Sequence, residues 1–368
     1  MSKNILITGA RAPASLELAR HLSKENKVFV SDSLYFSLAR FSRASERFIF
    51  TRKPSLDFEG FKQDLIEAVS KYEIDLIIPT CEEAFYLSKC KTELEKRCNV
   101  FVDGIDKMQK IHSKVGFLEL INKRYAKVPD TRVIDKIDIC AELLKGRLVK
   151  IEYSRFGNGV FSGYSSLEKL VDISEANRYL SQEKVEGVEY STYTIANNGH
   201  VLGTSVYHCD YRIKGSSGVY FRPVVHQKIN DFIRAFVQGN KFTGQIGFDV
   251  IDNGTDIFII DANPRATSGI HLLEGDLNLT EKQLHMVQSK KSKGLILAVL
   301  LLADKSNVSI KEMVKSLASY REAVFRFSDP LPSICQLLTL GELLYRKFRY
   351  KVNVTEAATF DIEWDGDK

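Results

Sequence analysis

The side chains best suited to chemistry gather between Gly247 and Arg265. Asp249, Asp261 and Asn263 stand on two apolar runs separated by Asp252-Asn253-Gly254-Thr255-Asp256. An Asn-Gly pair between apolar runs is a strong hairpin signal. A loop centred near Thr255 sets Asp249 opposite Asp261, and Asp261 and Asn263 then share a strand face about 7 Å apart. Two carboxylates facing each other across strands repel. With the amide oxygen of Asn263 they form a set of hard oxygen donors, of the kind that holds Mg²⁺ against nucleotide phosphates. The plain alternative is two solvated aspartates on an exposed sheet face. Arg265 adds a cation just beyond the cluster, where a phosphate or a substrate carboxylate would lie.

Two further segments carry complementary groups. Leu148-Val149-Lys150-Ile151 sets one lysine in an apolar strand, followed by Glu152-Tyr153-Ser154-Arg155-Phe156-Gly157-Asn158-Gly159. A short glycine-containing loop after such a lysine can fold its N–H groups over phosphates while the lysine supplies a point charge. It is not a P-loop, since no Gly-Lys-Ser/Thr ends it. An edge lysine followed by a hairpin turn explains the same residues. Gln182-Glu183-Lys184-Val185-Glu186-Gly187-Val188-Glu189 leads into a strand with glutamates on both sides of a glycine. That pattern suits an adenine edge and a ribose.

These groups need a framework, and the first hundred residues supply one. Asn4 to Thr8, Val28 to Val30, Ile74 to Ile78 and Asn99 to Val102 read as apolar strands, with helical spacing between them. Strands apolar on both faces and joined by helices predict a parallel, doubly wound sheet. Ligands bind beyond the carboxyl ends of such strands, which here carry Gly9-Ala10-Arg11, Asp32 and Thr80-Cys81-Glu82-Glu83. Helix capping and turn formation would account for them equally. Lys107 to Val128 reads as helical and Pro129-Asp130-Thr131 as a turn. Residues 148 to 264 read as strand-rich, and the part after 276 as mainly helical, with a capping box at Ser309-Ile310-Lys311-Glu312.

Composition narrows the class. The 368 residues are 44% hydrophobic and 27% charged, which excludes disordered and fibrous chains. The net charge of +5 is thin over such a length and does not call for nucleic acid. Six scattered cysteines form no Cys-x-x-Cys pair and none has a histidine at zinc-ligand spacing, which reads as reduced thiols in a cytoplasmic protein. The apolar run Gly294 to Ala303 is about half the ~20 residues of a membrane span, so a buried helix is expected there. No Ser-His-Asp or Cys-His arrangement suggests a side-chain nucleophile.

Taken in order and spacing, these segments resemble the ATP-grasp superfamily over nearly the whole chain. The resemblance implies an α/β protein, α+β in its nucleotide part. A Rossmann-like pre-ATP-grasp domain (1–111) would precede a lid with its linker helix (112–184), a core with the metal site (185–275) and a helical region packed on the core (276–368). It implies that Lys114, in His112-Ser113-Lys114, and Lys150 contact nucleotide phosphates, with Ser154, Arg155 and Gly157 in the phosphate loop. It assigns Glu183, Lys184, Val185 and Glu186 to the adenine hinge and Glu189 to the ribose. Asp249, Asp261 and Asn263 fall on the metal ligands and Arg265 on a catalytic arginine. Asp261 stands where Glu is common. The shorter side chain weakens bridging of two metals but leaves room for one well-held Mg²⁺, or Mn²⁺.

The implied reaction is an ATP-dependent ligation of a carboxylate to an amine or thiol through an acylphosphate. Its cofactors would be ATP and Mg²⁺, and its partners small molecules, with neither nucleic acid nor a membrane span. A homodimer is compatible with it. Arg11, Glu82, Glu83, Arg212 and Lys214 are the candidate substrate contacts. Thr8 to Ala14, Ile77 to Glu83, Asn263 to Gly269 and Asp361-Ile362-Glu363-Trp364 resemble a subgroup of that family. Two other readings stand beside it. One is a non-catalytic nucleotide-binding scaffold. The other is an NAD(P)-dependent oxidoreductase, for which Gly9 and Asp32 are suitably spaced although the second and third glycines are missing. Tyr345 to Lys351 interleaves basic and aromatic residues, a solvated face or a contact surface.

Overall fold

A computed structural model describes residues 2–134, 146–153, 160–162, 178–213, 217–277, 279, 286–295 and 319–366. The apolar runs near the start form a five-stranded parallel sheet: β1 (Asn4–Thr8), β2 (Lys27–Asp32), β3 (Arg47–Phe50), β4 (Leu76–Ile78) and β5 (Asn99–Val100). The order β3-β2-β1-β4-β5 reverses direction between β1 and β4. The crevice of a doubly wound sheet opens at such a reversal, and here the loops after Thr8 and Ile78 line it. Gly9 makes the turn out of β1 with φ +71°, and a Cβ there would lie 2.7 Å from both Glu83 Oε1 and Thr80 Oγ1. The helices Pro13–Leu22, Phe58–Tyr72 and Glu83–Lys89 belong to this unit. β3 was absent from the sequence reading.

The predicted helical region Lys107 to Val128 is shorter than expected. Helix Ile105–His112 stops at Ser113, whose backbone is extended, and one 3₁₀ turn follows at Gly116–Leu120. Ser113 Oγ accepts from the N–H groups of Val115 and Gly116 and donates to the Glu152 carboxylate. Tethering to a residue 39 positions away thus ends the helix and aims Lys114 at the same neighbourhood.

Next comes a four-stranded antiparallel sheet of β6 (Thr131–Ile134), β7 (Arg147–Ile151), β8 (Val160–Ser162) and β9 (Tyr179–Glu183), in the order β6-β9-β7-β8. The largest sheet is built on β10 (Val188–Asn197), β11 (His200–Ile213), β12 (Ser217–Pro223), β13 (Gly244–Asp252) and β14 (Ile257–Asn263). The short pair β15 (Leu273–Glu274) and β16 (Val287–Gln288) stands apart from it, while β17 (Lys293–Gly294) and β18 (Arg321–Glu322) extend its far edge. Within residues 148 to 264, read as strand-rich, lies the helix Gln227–Gly239. Its Phe232 and Phe236 pack edge-on against Phe248 of β13 at 5.1 and 4.8 Å.

The described part of the region after 276 is less helical than expected. Its short strands join the sheets, and its long helix is Leu331–Tyr350. This helix presents Ile334, Leu337, Tyr345 and Phe348 to solvent, each more than 60% exposed. The capping box at Ser309 and most of the run Gly294 to Ala303 lie outside the described residues. One core joins the first sheet to the largest one, with Ile5, Ile7 and Val30 in the same buried cluster as Tyr193, Leu202 and Ile270. Trp364 belongs to a second cluster with Leu6, Phe61 and Phe85, and stacks on Phe85 at 5.9 Å. Among the described residues no helix is long and apolar enough to cross a membrane.

Candidate active site

The hairpin of β13 and β14 turns through Asn253, whose Oδ1 accepts from the N–H groups of Thr255 and Asp256. The resulting register sets Asp249 directly against Asp261 and Gly247 against Asn263. A register shift between Asp249 and Val250 breaks the ladder beside the aspartates, as bulges do near functional sites. Asp249 is fixed by Ser191 on β10, whose Oγ donates to Oδ1 at 2.8 Å. Burial, and then the facing charge of Asp261, push the Asp249 carboxyl above the usual aspartate range. Two carboxylates forced together under such conditions are poised for a cation.

Lysines come to this pair from two other elements. Lys114, held after the broken helix, reaches within 3.8 Å of Asp261 Oδ2 and donates to the Glu152 carbonyl at 3.4 Å. Lys150, on β7, extends to the Ile260 carbonyl at 3.5 Å. Its burial lowers its pKa, with Asp261 and Asp249 pulling upward and Lys114 pushing down. Arg265 leaves the end of β14 and makes only long contacts: 3.3 Å to Asn263 Oδ1, 3.3 Å to the Ala266 carbonyl and 3.8 Å to Glu82. One neighbourhood therefore holds Lys114, Lys150, Asp249, Asp261, Asn263 and Arg265. Among the described residues no three His, Cys, Asp or Glu side chains form a metal-ligating group. A cation placed there would meet two aspartates and an amide, an all-oxygen set whose chemistry suits magnesium rather than zinc.

The expected hinge residues connect two sheets. Glu183 ends β9 and accepts from Asp130 N at 3.3 Å, while Lys184, Val185 and Glu186 lead into β10. Glu189 lies on β10, its carboxylate 3.3 Å from Arg212 of β11. Ser154, Arg155, Gly157 and Lys214 lie outside the described residues.

Two of the expected substrate contacts, Arg11 and Glu83, are engaged by other groups of the protein. Arg11 turns inward, its guanidinium donating to Asp32, Ser33, Asp361 and the Ala358 carbonyl. No donor remains for a substrate. Glu83 is buried at the sheet reversal, one oxygen accepting from Thr8 Oγ1, Thr80 N and Cys81 N. Asp32, the residue a nicotinamide ribose would need, is spent on Arg11 and Leu34 N. Glu82 does lie at the site, 3.8 Å from Arg265. Sequence reasoning missed Ser191 and Glu152, whose roles follow from strand register and from a tertiary contact and leave no local signal. Asp361 and Trp364, noted without a role, bind the end of the chain to the first sheet.

Residues 111–269 match the family model of the ATP-grasp domain. The chain carries an ATP-grasp domain. The matched span contains the two lysines, the aspartate pair, Asn263 and Arg265. Solved structures sharing the fold include N5-carboxyaminoimidazole synthetase from Staphylococcus aureus complexed with ADP. It is 18% identical with a TM-score of 0.63, over 85% of this chain and 86% of that one. An L-amino acid ligase from Bacillus licheniformis is 13% identical with a TM-score of 0.55, over 73% of this chain and 68% of that one. A biotin carboxylase–βγ-ATP complex from Campylobacter jejuni is 15% identical with a TM-score of 0.55, over 73% and 66%. At these identities the likeness is one of fold. No curated protein matches the sequence significantly.

Proposed function

We propose that the protein is an ATP-dependent ligase that activates a carboxylate and joins it to an amine or thiol. The observation that carries this is the facing pair Asp249–Asp261 with Lys114 and Lys150 directed at it and Arg265 beside Asn263. Phosphoryl transfer depends on positioning and charge neutralisation, and this arrangement offers both.

On this reading Lys114 and Lys150 hold the ATP phosphates, and Glu183 to Glu186 with Glu189 hold the adenosine. Asp249, Asp261 and Asn263 would hold Mg²⁺, which supplies charge neutralisation on the polyphosphate. A substrate carboxylate oxygen attacks the γ-phosphorus, a carboxyl O–P bond forms, the bond to the β-phosphate oxygen breaks and ADP departs. The amine or thiol then attacks the acyl carbon, gives up its proton and expels inorganic phosphate. Arg265 steadies the negative charge on the acylphosphate and on the tetrahedral intermediate. No protein nucleophile is required. The biotin carboxylase–βγ-ATP complex and the L-amino acid ligase that share the fold support a reading as an ATP-using ligase, without naming the substrate here.

The test is thermal unfolding with and without Mg-ATP. At about a hundred times Kd the wild type gains roughly 2.7 kcal/mol. Lys150→Ala and Asp261→Ala each lose that gain while remaining folded. A folded wild type with no shift would remove the ligase reading.

A further inference from the structure

A cavity of about 310 Å³ lies where the three parts of the molecule meet: the loops at the first sheet's reversal, the segment after Arg265, and the end of the chain. Its size suits a ligand smaller than a nucleotide. Arg265 belongs both to its wall and to the aspartate–lysine cluster, through Asn263. Through Arg265 the cavity therefore adjoins the place where phosphoryl transfer would occur.

The charge balance of its wall is unusual. Two arginines line it, Arg11 and Arg265, together with one carboxylate, Glu82, which lies 3.8 Å from Arg265 and accepts from Trp364 N. Arg11 is neutralised by Asp32 and Asp361, and its donors are spent. Arg265 has only contacts of 3.3 Å or longer, so among the described residues it is the cation a ligand can recruit. The hydroxyls of Thr80 and Thr267 are also turned away, donating to the Thr8 and Thr192 carbonyls. Pro13, Ala14, Ala266 and Ile362 supply an apolar lining. Ser268 and Thr359 add hydroxyls, that of Thr359 donating to Glu363, and His271 adds an imidazole edge. His271 is buried and lines the cavity, with Nδ1 3.6 Å from Glu17 and Nε2 lacking a hydrogen-bond partner.

A site with one recruitable cation cannot repay the desolvation of a second negative charge. Resting on the ligase reading above, we propose that this cavity holds the acid to be activated. That acid is small and singly charged, with a largely apolar body. Its carboxylate lies at Arg265, and phosphorylated and dicarboxylic acids are excluded.

The experiment measures ADP release from Mg-ATP, with hydroxylamine as the amine and the hydroxamate as product. Butyrate, valerate, 2-hydroxyvalerate and benzoate are compared with succinate, glutarate and 3-phosphoglycerate. At least one monocarboxylate should show kcat/KM ten-fold or more above that of every multiply charged acid. Ala14→Leu, which fills the cavity away from the phosphate lysines, should raise the KM of that acid ten-fold and leave the Mg-ATP thermal shift unchanged. Preference for a dianionic acid, or an Ala14→Leu variant indifferent to the acid, overturns the inference and leaves the ligase reading standing. So does Mg-ATP binding with no turnover and no further thermal shift from any monocarboxylate. Loss of the Mg-ATP shift itself in wild type would instead bring down the reading beneath it.

Discussion

At the residue scale the site shows how a binding cluster costs stability. Asp249 sits buried against Asp261, its carboxyl pushed above the ordinary aspartate range of about 3.9. Without a ligand its ionisation is unfavourable, so this group favours folding at low pH and opposes it as pH rises through the folded pKa. Asp249→Asn should therefore raise the neutral-pH stability of the ligand-free protein by about 1 kcal/mol and abolish the Mg-ATP shift. Thermal melts at neutral pH read both effects. In wild type, the Mg-ATP shift should fade on acidification at a higher pH than an ordinary aspartate would cause, because the cluster must lose Asp249's proton to bind a cation. An equal or lower Tm for the ligand-free variant would show that Ser191 and the lysines already compensate the pair.

At the scale of elements, what could be read from the sequence depended on how local the cause was. The β13–β14 hairpin was legible because Asn253-Gly254 dictates the turn and the turn dictates the pairing of Asp249 with Asp261. β1, β2 and β4 were legible as apolar runs, whereas β3 is four half-exposed residues at a sheet edge. The helix Gln227–Gly239 carries Ile229, Phe232, Ile233, Phe236 and Val237 at helical spacing, a signal masked by the strands on either side. The early end of helix Ile105–His112 was not legible, since its cause is Glu152. Gly9 offers a test at this scale. Its positive φ and the 2.7 Å approach of Thr80 and Glu83 leave no room for a methyl group. Gly9→Ala should cost about 2 kcal/mol or more, measured by urea unfolding. A loss within 0.5 kcal/mol would mean that the reversal loops are free to spread.

At the scale of the molecule, one long-range tie among the described residues runs through Asp361. It is fully buried, with Arg11 at 2.6 Å and Arg346 at 2.7 Å. Burial alone would raise its pKa, but the two arginines and Ser33 outweigh that and hold the carboxyl far below the usual range. The stability it contributes is present above about pH 4, the unfolded value, and is lost as pH falls toward the folded one. Asp361→Ala should cost about 3 kcal/mol at neutral pH, because it removes the buried carboxylate shared by two guanidinium groups and leaves each with one acidic partner. Asp361→Asn should show a flatter decline of Tm between pH 6 and pH 3 than wild type. Parallel curves would mean that other carboxylates govern acid unfolding. None of this was legible in the sequence, where Arg11 looked like a ligand-binding residue at a strand end and its partner lay 350 positions away.

The same tie has a consequence for how the protein is made. A ribosome releases the aspartate pair, both lysines and Arg265 well before it adds Asp361 and Trp364. Until that segment is present, Arg11 lacks one of its two carboxylate partners and the cavity lacks its third wall. A chain cut short at residue 350 should therefore bind Mg-ATP yet turn over no acid. The wall formed by Ala358, Thr359 and Ile362 would itself couple nucleotide to substrate.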